Sequence, residues 1–399
     1  MPGRFAGNII VKIRVWIILG LLAPWVQLFP FSLSKEASVS LLTCGPGTEL
    51  YSLFGHTALR IKDDSLGFDR VYNYGTFNFQ EKGFYWKFLR GELFYYLSVA
   101  HFNQFMALYY AEEREVTEQI LQLDPEEATR IFLFVENNLK PENRAYLYDF
   151  IRDNCTTRIR DLLVSPHRPD AGQSSDSVTT ARMHLRKALH PFPYSGLGID
   201  LLLGARTDHP ITLYQSLFLP ELLKQQLEKS IHPDTGHPLV KESRILLKGQ
   251  ELRKPSPLLQ PILLLLVLLL LSALLALGPF RMKRANQIFN RLIFTTLGTI
   301  GIIIAFMWFV SSHYHTALNW NLLLFSPLCL FFAFSTKQTK RKTLRLILLL
   351  ILISLIIYPV ALVVSKQAIS IESGIIAFTL LFRLHYLSKQ FRSAMPKPL

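Results

Sequence analysis

The sequence is short of several features on which enzymes commonly rely. Only three cysteines occur in 399 residues, Cys44, Cys155 and Cys329, and no second Cys or His stands at zinc-ligand spacing from Cys155, which speaks against a zinc centre. There is no Gly-rich loop to cradle phosphates and no G-x-S-x-G elbow, so Cys155 has no serine rival of comparable quality. Neither metal nor cofactor is implied. Acid is scarce as well, 29 Asp and Glu against 43 Lys and Arg, for a net charge of +14. The excess base needs no nucleic-acid partner, because it gathers in the connections between apolar runs.

Apolar residues make up 50% of the chain and the mean hydropathy is +0.25. Together with flanking base, this composition predicts membrane spans. Residues 9–32 form an apolar run led by Arg4, Lys12 and Arg14, a signal peptide or signal anchor without a clear A-x-A cleavage site. A mixed polar and apolar stretch follows, long enough for one exported globular domain. Beyond Pro255 and Pro257, five apolar runs cover roughly 258–277, 292–311, 321–335, 346–364 and 370–386, read as spans at about 20 residues per crossing. The third run is short, and the fifth carries Arg383 and His385. Arg281, Lys283, Arg284 and Arg291 fill the first connection, and Lys337, Lys340, Arg341, Lys342 and Arg345 the third, whereas 313–321 holds no Lys or Arg. The positive-inside rule then puts the basic connections in the cytoplasm, with the soluble domain and the 313–321 loop on the outer side. The expected division is a signal segment at 1–33, a periplasmic α+β domain at 34–254, a multi-span all-α membrane domain of about five helices at 255–388, and a basic cytoplasmic tail at 389–399.

Within the exported part, 37–43 is rich in strand formers and ends at the turn Cys44-Gly45-Pro46-Gly47. His56 opens a second alternating run and Arg70 a third, which together predict an antiparallel meander. Residues 77–110 are dense in aromatics, either a packed core or a surface for the membrane interface and acyl chains. Strand character returns at 116–123. Asp124-Pro125-Glu126-Glu127 then opens a helix that stops before Pro141, and a short apolar strand is expected at 146–151. The segment 165–180 is rich in Pro, Asp, Gly and Ser and reads as a loop. Residues 214–231 look helical, interrupted at Pro220.

The stretch Asp153-Asn154-Cys155-Thr156-Thr157-Arg158 carries the chemistry. Asp153 and Asn154 are good N-caps, and Ile159, Leu162 and Leu163 recur at helical spacing, so Cys155 falls in a first helical turn. Free backbone N–H groups and the helix dipole favour a thiolate there. Burial as a small hydrophobe or a disulfide to Cys44 are the bland alternatives, and Cys329 is an apolar filler within a span. Of the exported histidines, His56 stands between a Gly-containing turn and a strand, a rigid place from which to orient an imidazole. His56 as base, Cys155 as nucleophile and Asn73 as the group that orients the ring make a papain-like set. Asp69, Tyr72 and Asn78 rival Asn73. The Cys155 N–H and the Tyr51 hydroxyl are candidate oxyanion donors. His313, His315, Asn319 and Asn321, at the outer ends of spans, either lie at the interface or hold lipid headgroups.

The segments 41–61, with Phe54-Gly55-His56, and Asn154-Cys155-Thr156, together with His313-Tyr314-His315-Thr316-Ala317-Leu318-Asn319-Trp320-Asn321, resemble the Lnb family of Bacteroidetes lipoprotein N-acyltransferases, formerly a domain of unknown function. The resemblance spans nearly the whole chain. The order of His before Cys is similar to the permuted papain-like fold of lecithin:retinol acyltransferases and some NlpC-type peptidases. It implies that Cys155 takes a fatty acyl chain from a phospholipid as a thioester and passes it to the α-amino group of a lipoprotein's diacylglyceryl-cysteine, in the bacterial inner membrane with the catalytic domain in the periplasm. Two other classes use the same residues: a membrane-anchored NlpC-like cysteine peptidase or amidase acting on cell-wall peptides, and a non-catalytic disulfide-bonded module.

Overall fold

Alternation of apolar and polar residues builds a sheet with two differently covered faces. In the computed structural model, which describes residues 32–164, 179–232, 235–250, 256–278, 282–335 and 339–393, β1 (Ser38–Cys44) pairs antiparallel with β2 (His56–Asp63), and β2 with β3 (Phe68–Thr76). Strand β4 (Phe94–His101) extends the sheet beyond β3, β5 (Val116–Leu121) lies on the far side of β1, and β6 (Ala145–Leu147) borders β4. A separate ribbon joins β7 (Thr179–Thr180) to β8 (Pro210–Ile211), and β9 (Val240–Leu247) closes the other edge, for a seven-stranded order β6-β4-β3-β2-β1-β5-β9. Residues 1–31 of the expected signal segment, residues 165–178 of the expected loop and residues 394–399 of the expected basic tail lie outside the described residues.

Leu41, Leu59, Ile61 and Tyr72 face the larger core, while Leu42, Cys44, Ala58 and Val71 face the other side. Helices α1 (Phe84–Arg90) and α2 (Phe102–Ala111) flank β4 in sequence, and Phe105 and Tyr109 of α2 cover the smaller core. The larger core takes α3 (Pro125–Leu139) and α4 (Cys155–Leu163). After α5 (Ala181–Ala188) and α6 (Pro193–Leu202), α7 (Pro220–Lys229) returns to it through Leu223 and Leu227. The aromatic stretch 77–110 thus resolves into helix, strand and helix, because ring-dense sequence has no readable period. Strand β9 escaped the sequence pattern for the opposite reason. It is an edge strand largely exposed along its length, where Lys241, Glu242 and Arg244 suit an unpaired border.

The second half is helical: α8 (Pro261–Leu277), α9 (Lys283–Phe309), α10 (Asn321–Leu324), α11 (Cys329–Ala333), α12 (Arg341–Ser365) and α13 (Ile371–Ser393). Among the described residues, α9 and α12 are the two helices long and apolar enough to cross a membrane. The expected span at 321–335 is instead broken into α10 and α11 around Ser326-Pro327, where a residue ahead of proline leaves the helical region. Helix α8 has 17 residues, and α13 buries Arg383 against the side-chain oxygens of Asn286 and Asn290 and the Ser272 carbonyl.

The broken segment packs against α9 where that helix has glycine. A Cβ on Gly298 would lie 2.5 Å from Leu330 Cγ, and one on Gly301 would run into the Phe325 carbonyl oxygen. Gly301→Ala is therefore expected to destabilise the bundle by roughly 2 kcal/mol through overpacking against rigid backbone. Gly374→Ala, with nothing within 4 Å, leaves stability unchanged or raises it. Thermal unfolding of the two variants in detergent tests the pair; equal midpoints would contradict the close approach.

Candidate active site

The turn ahead of α4 is closed by reciprocal backbone bonds between Asp149 and Asp153, 3.0 and 2.9 Å. Asp149 Oδ1 accepts from the Ile151 and Arg152 N–H groups. Asn154 then caps α4: its Oδ1 accepts from Thr157 N at 2.8 Å, and Thr157 Oγ1 accepts from Asn154 N at 2.7 Å. Its amide nitrogen donates to the Phe150 and Phe218 carbonyls, so this buried cap has no polar group left over. Such a cap is worth about 1 kcal/mol, and it fixes the first turn in which Cys155 sits.

That turn is tied to the sheet. Thr156 and Thr57, both buried, share a hydroxyl–hydroxyl bond of 2.9 Å, which sets Cys155 beside His56 at the start of β2. Two glycines make the approach possible. Gly55 has φ +80°, and a Cβ there would strike the Cys44 carbonyl; Gly75 has φ +87°, beside the irregularity in β3, where a Cβ would touch Cys155 Cβ at 3.5 Å. L residues with a side chain rarely adopt such a φ.

The His56 ring and the Thr57 backbone N–H lie close enough to the Cys155 sulfur to favour its thiolate. Nε2 of His56 meets Asn73 Oδ1 at 3.4 Å, and Asn73 Nδ2 donates to the Val71 carbonyl, so Nδ1 is the nitrogen left for sulfur. Burial alone would raise the Cys155 thiol, but the charge and hydrogen bond of His56, the Thr57 N–H and the Thr156 hydroxyl outweigh it and hold the thiol below its ordinary value. Cys44 is the contrast. It lies in the core on the other face of the sheet, burial pushes it up to about 12 against a bond from Tyr109, and both sulfurs are free. A thiol so protonated is no nucleophile at neutral pH.

The structure therefore brings together Cys155, His56 and Asn73. Tyr51 is 57% exposed, with its ring edge-on to Phe77 and Phe79. Of the 313–321 residues, His313 Nε2 donates to the Phe88 carbonyl, Asn319 and Asn321 donate to the Leu201 carbonyl, and Asn321 accepts from Tyr358. Those amides clamp the helical half to the sheet half. His315 is mostly buried, with neither ring nitrogen bonded, and burial takes it down to about 4 although Asp149 pulls the other way. Other histidines serve elsewhere: His232 bonds Glu127 at 2.9 Å, and His101 pairs with Arg70 at the opposite end of β3 from Asn73. An open cleft of about 440 Å³ lined by Tyr74, Arg152, Asp153 and Arg158 adjoins the first turn of α4. Thr57, Thr156 and Gly75 were missed from sequence. The Thr that follows each catalytic candidate, in His56-Thr57 and Cys155-Thr156, was the signal available for the first two.

Two family models match the chain, the Lnb N-terminal periplasmic domain over residues 32–187 and the Lnb transmembrane domain over residues 253–393. No curated protein and no solved structure matches it significantly.

The electrostatics make a direct prediction. Thiolate forms as pH rises through the thiol's midpoint, so alkylation of Cys155 by iodoacetamide should reach half its plateau below the ~8.5 of an unperturbed cysteine. His56→Asn removes the opposing charge and leaves burial unanswered, which moves the midpoint upward and past that of the wild type. Rate against pH, with Cys155 identified by peptide mass, is the measurement; an unmoved midpoint would refute the pairing.

Proposed function

The chain belongs to the Lnb family, and from that premise and the Cys155–His56–Asn73 set we propose a membrane-bound thiol acyltransferase. It moves a fatty acyl chain from a phospholipid, through a Cys155 thioester, to the α-amino group of a lipoprotein's N-terminal diacylglyceryl-cysteine. The observation that carries the reading is the sulfur at the capped start of α4, with the His56 ring beside it lowering the thiol. The fold of the exported domain is then a permuted papain-like α+β arrangement, with His ahead of Cys in the chain, and the enzyme sits in the bacterial inner membrane as a multi-pass protein.

In the first half-reaction the Cys155 thiolate attacks the ester carbonyl, and the protonated His56 gives its proton to the departing glycerol oxygen. In the second, neutral His56 takes the proton of the attacking amine as it displaces sulfur. Each half-reaction returns the imidazole to the state the next one needs. Thioester chemistry suits a depressed thiol, because the thiolate rather than the thiol attacks.

The surroundings support a lipid donor. Helix α1 leaves Tyr85 and Trp86 74% and 55% exposed, and Trp86 meets Phe306, near the end of α9, at 5.6 Å with the rings tilted by 49°. Next to it, Phe79, Phe88 and Leu89 are exposed too. Amphipathic rings at the mouth of a membrane helix favour the headgroup region, which brings this face of the domain down to the lipid. His313, His315, Asn319 and Asn321 lie on the same side, holding the two halves in register for that contact.

Purified full-length protein incubated with phospholipid should acquire an acyl mass on Cys155 that hydroxylamine removes and that Cys155→Ser never shows. His56→Ala should stay folded and lose at least about 10²-fold in rate, the scale of a general acid–base group. Peptide adducts or muropeptide cleavage in place of an acyl mass would favour the cysteine peptidase instead.

A further inference from the structure

The geometry points to Tyr146 as a catalytic residue of this site, its hydroxyl donating a hydrogen bond to the oxyanion that forms when the Cys155 sulfur adds to a carbonyl. The inference rests on the acyl-transfer reading above and adds to it the second donor beside the Cys155 N–H.

Tyr146 is 6% exposed, yet its hydroxyl is buried without a hydrogen-bond partner among the described residues. Leaving such a group unpaired costs about 1–3 kcal/mol, so an orphan hydroxyl inside a site calls for a transient partner. Its location supplies one. A Cβ placed on Gly75 would lie 3.5 Å from Cys155 Cβ and 3.9 Å from Tyr146 Oη, so the nucleophile and the hydroxyl border the same small space beside Gly75. The charge of Cys155 is felt at the Tyr146 phenol.

The ring is held in place. Its residue pairs with Tyr95 across β6 and β4, the Arg158 guanidinium lies 4.0 Å over the ring centroid, and Tyr74 meets it edge-on at 6.3 Å. Arg158 is itself fixed by Asp153 through two bonds of 2.5 and 2.7 Å. Burial, and then the nearby sulfur, raise the phenol above its ordinary range, so it keeps its proton and stays a donor throughout. The Thr156 hydroxyl, which also lies near the sulfur, is already committed to Thr57.

In the step proposed, the sulfur–carbon bond forms as the carbonyl π electrons move onto oxygen. That oxygen accepts from Tyr146 Oη–H and the Cys155 N–H. Collapse restores the carbonyl, breaks the ester C–O bond and sends the His56 proton to the leaving alkoxide. Tyr146 neither gains nor loses a proton. A donor preorganised where charge develops commonly contributes 10²–10³ in rate.

Tyr146→Phe keeps the ring, the Arg158 contact and the packing and removes only the hydroxyl. Full-length protein in detergent is acylated with p-nitrophenyl octanoate, and in parallel Cys155 is alkylated with iodoacetamide, a displacement that creates no oxyanion. The expected result is a fall of about 10² in acylation rate with alkylation within twofold of wild type. Equal acylation by the variant and wild type overturns the inference alone. A matching fall in both rates also overturns it, since Tyr146 would then merely position the thiolate. Absence of any acyl adduct on wild-type Cys155 overturns the acyl-transfer reading and this inference together.

Discussion

The hydroxyl bond between Thr57 and Thr156 is the constraint on which the site depends. It joins the residue after His56 to the residue after Cys155, so two parts of the chain almost a hundred positions apart are set in register by one buried contact. Its value lies less in stability than in placement. A neutral hydrogen bond contributes only about 1 kcal/mol, but a misplaced strand end would separate imidazole from sulfur and leave burial to protonate the thiol. The Asn154 cap performs the matching task on the helix side, exhausting its own polar groups on Thr157, Phe150 and Phe218. Between them, helix and strand have no freedom to slide.

A second set of contacts decides where this site stands relative to lipid. The 312–321 loop threads between the halves of the molecule by backbone bonds: Ser312 N–H to the Arg90 carbonyl, Gly204 N–H to His315, and Ala205 N–H to Leu318. A side chain on Gly204 would strike the Ala317 carbonyl. Tyr314 lies between two guanidinium groups, Arg152 at 4.0 Å and Arg206 at 4.3 Å, and Arg152 belongs to the turn that delivers Cys155. Nearby, fully buried Arg182 is balanced by Asp200 and Asp208 and by the Leu203 and Gly204 carbonyls. Arginine's planar fork suits that many fixed acceptors. The turn that delivers Cys155 is thus tied to the helical half through the 312–321 loop.

How much of this was legible in the sequence depends on how local the cause is. The cap, the helix that begins at Cys155 and the strand that begins at His56 are local, and their residues announce them. So are the proline start and capping box of α3. Asn73 could be named because it stands on the neighbouring strand, though nothing in the sequence separated it from Asp69, Tyr72 or Asn78. Asp69 in fact pairs with Arg60, and Tyr72 bonds Glu136. Tertiary contacts were not legible. Gly75 reads as an ordinary strand glycine until Cys155 is placed against it, and the break at Ser326-Pro327 is hidden in a run whose composition suits a span. The headgroup role imagined for Asn319 and Asn321 illustrates the same limit: outward polar residues in sequence, they turn out to spend their amides on Leu201.

Burial at Cys155 works in two directions, and the balance explains why the site needs so many small supports. The rings of Tyr74, Tyr95, Tyr146 and Tyr148 form a wall in the core against which Cys155 packs, with Tyr95 and Tyr148 stacked at 4.2 Å. For the proposed reaction such a wall is useful, because a thioester waiting for an amine must be kept from water. The same wall disfavours the thiolate that has to form first. Relief must come from groups that favour negative charge without admitting solvent: the His56 ring, the Thr57 N–H and the Thr156 hydroxyl. Each is small and fixed. Cys44, on the other face of the sheet, lacks that set of groups, and burial leaves it a thiol.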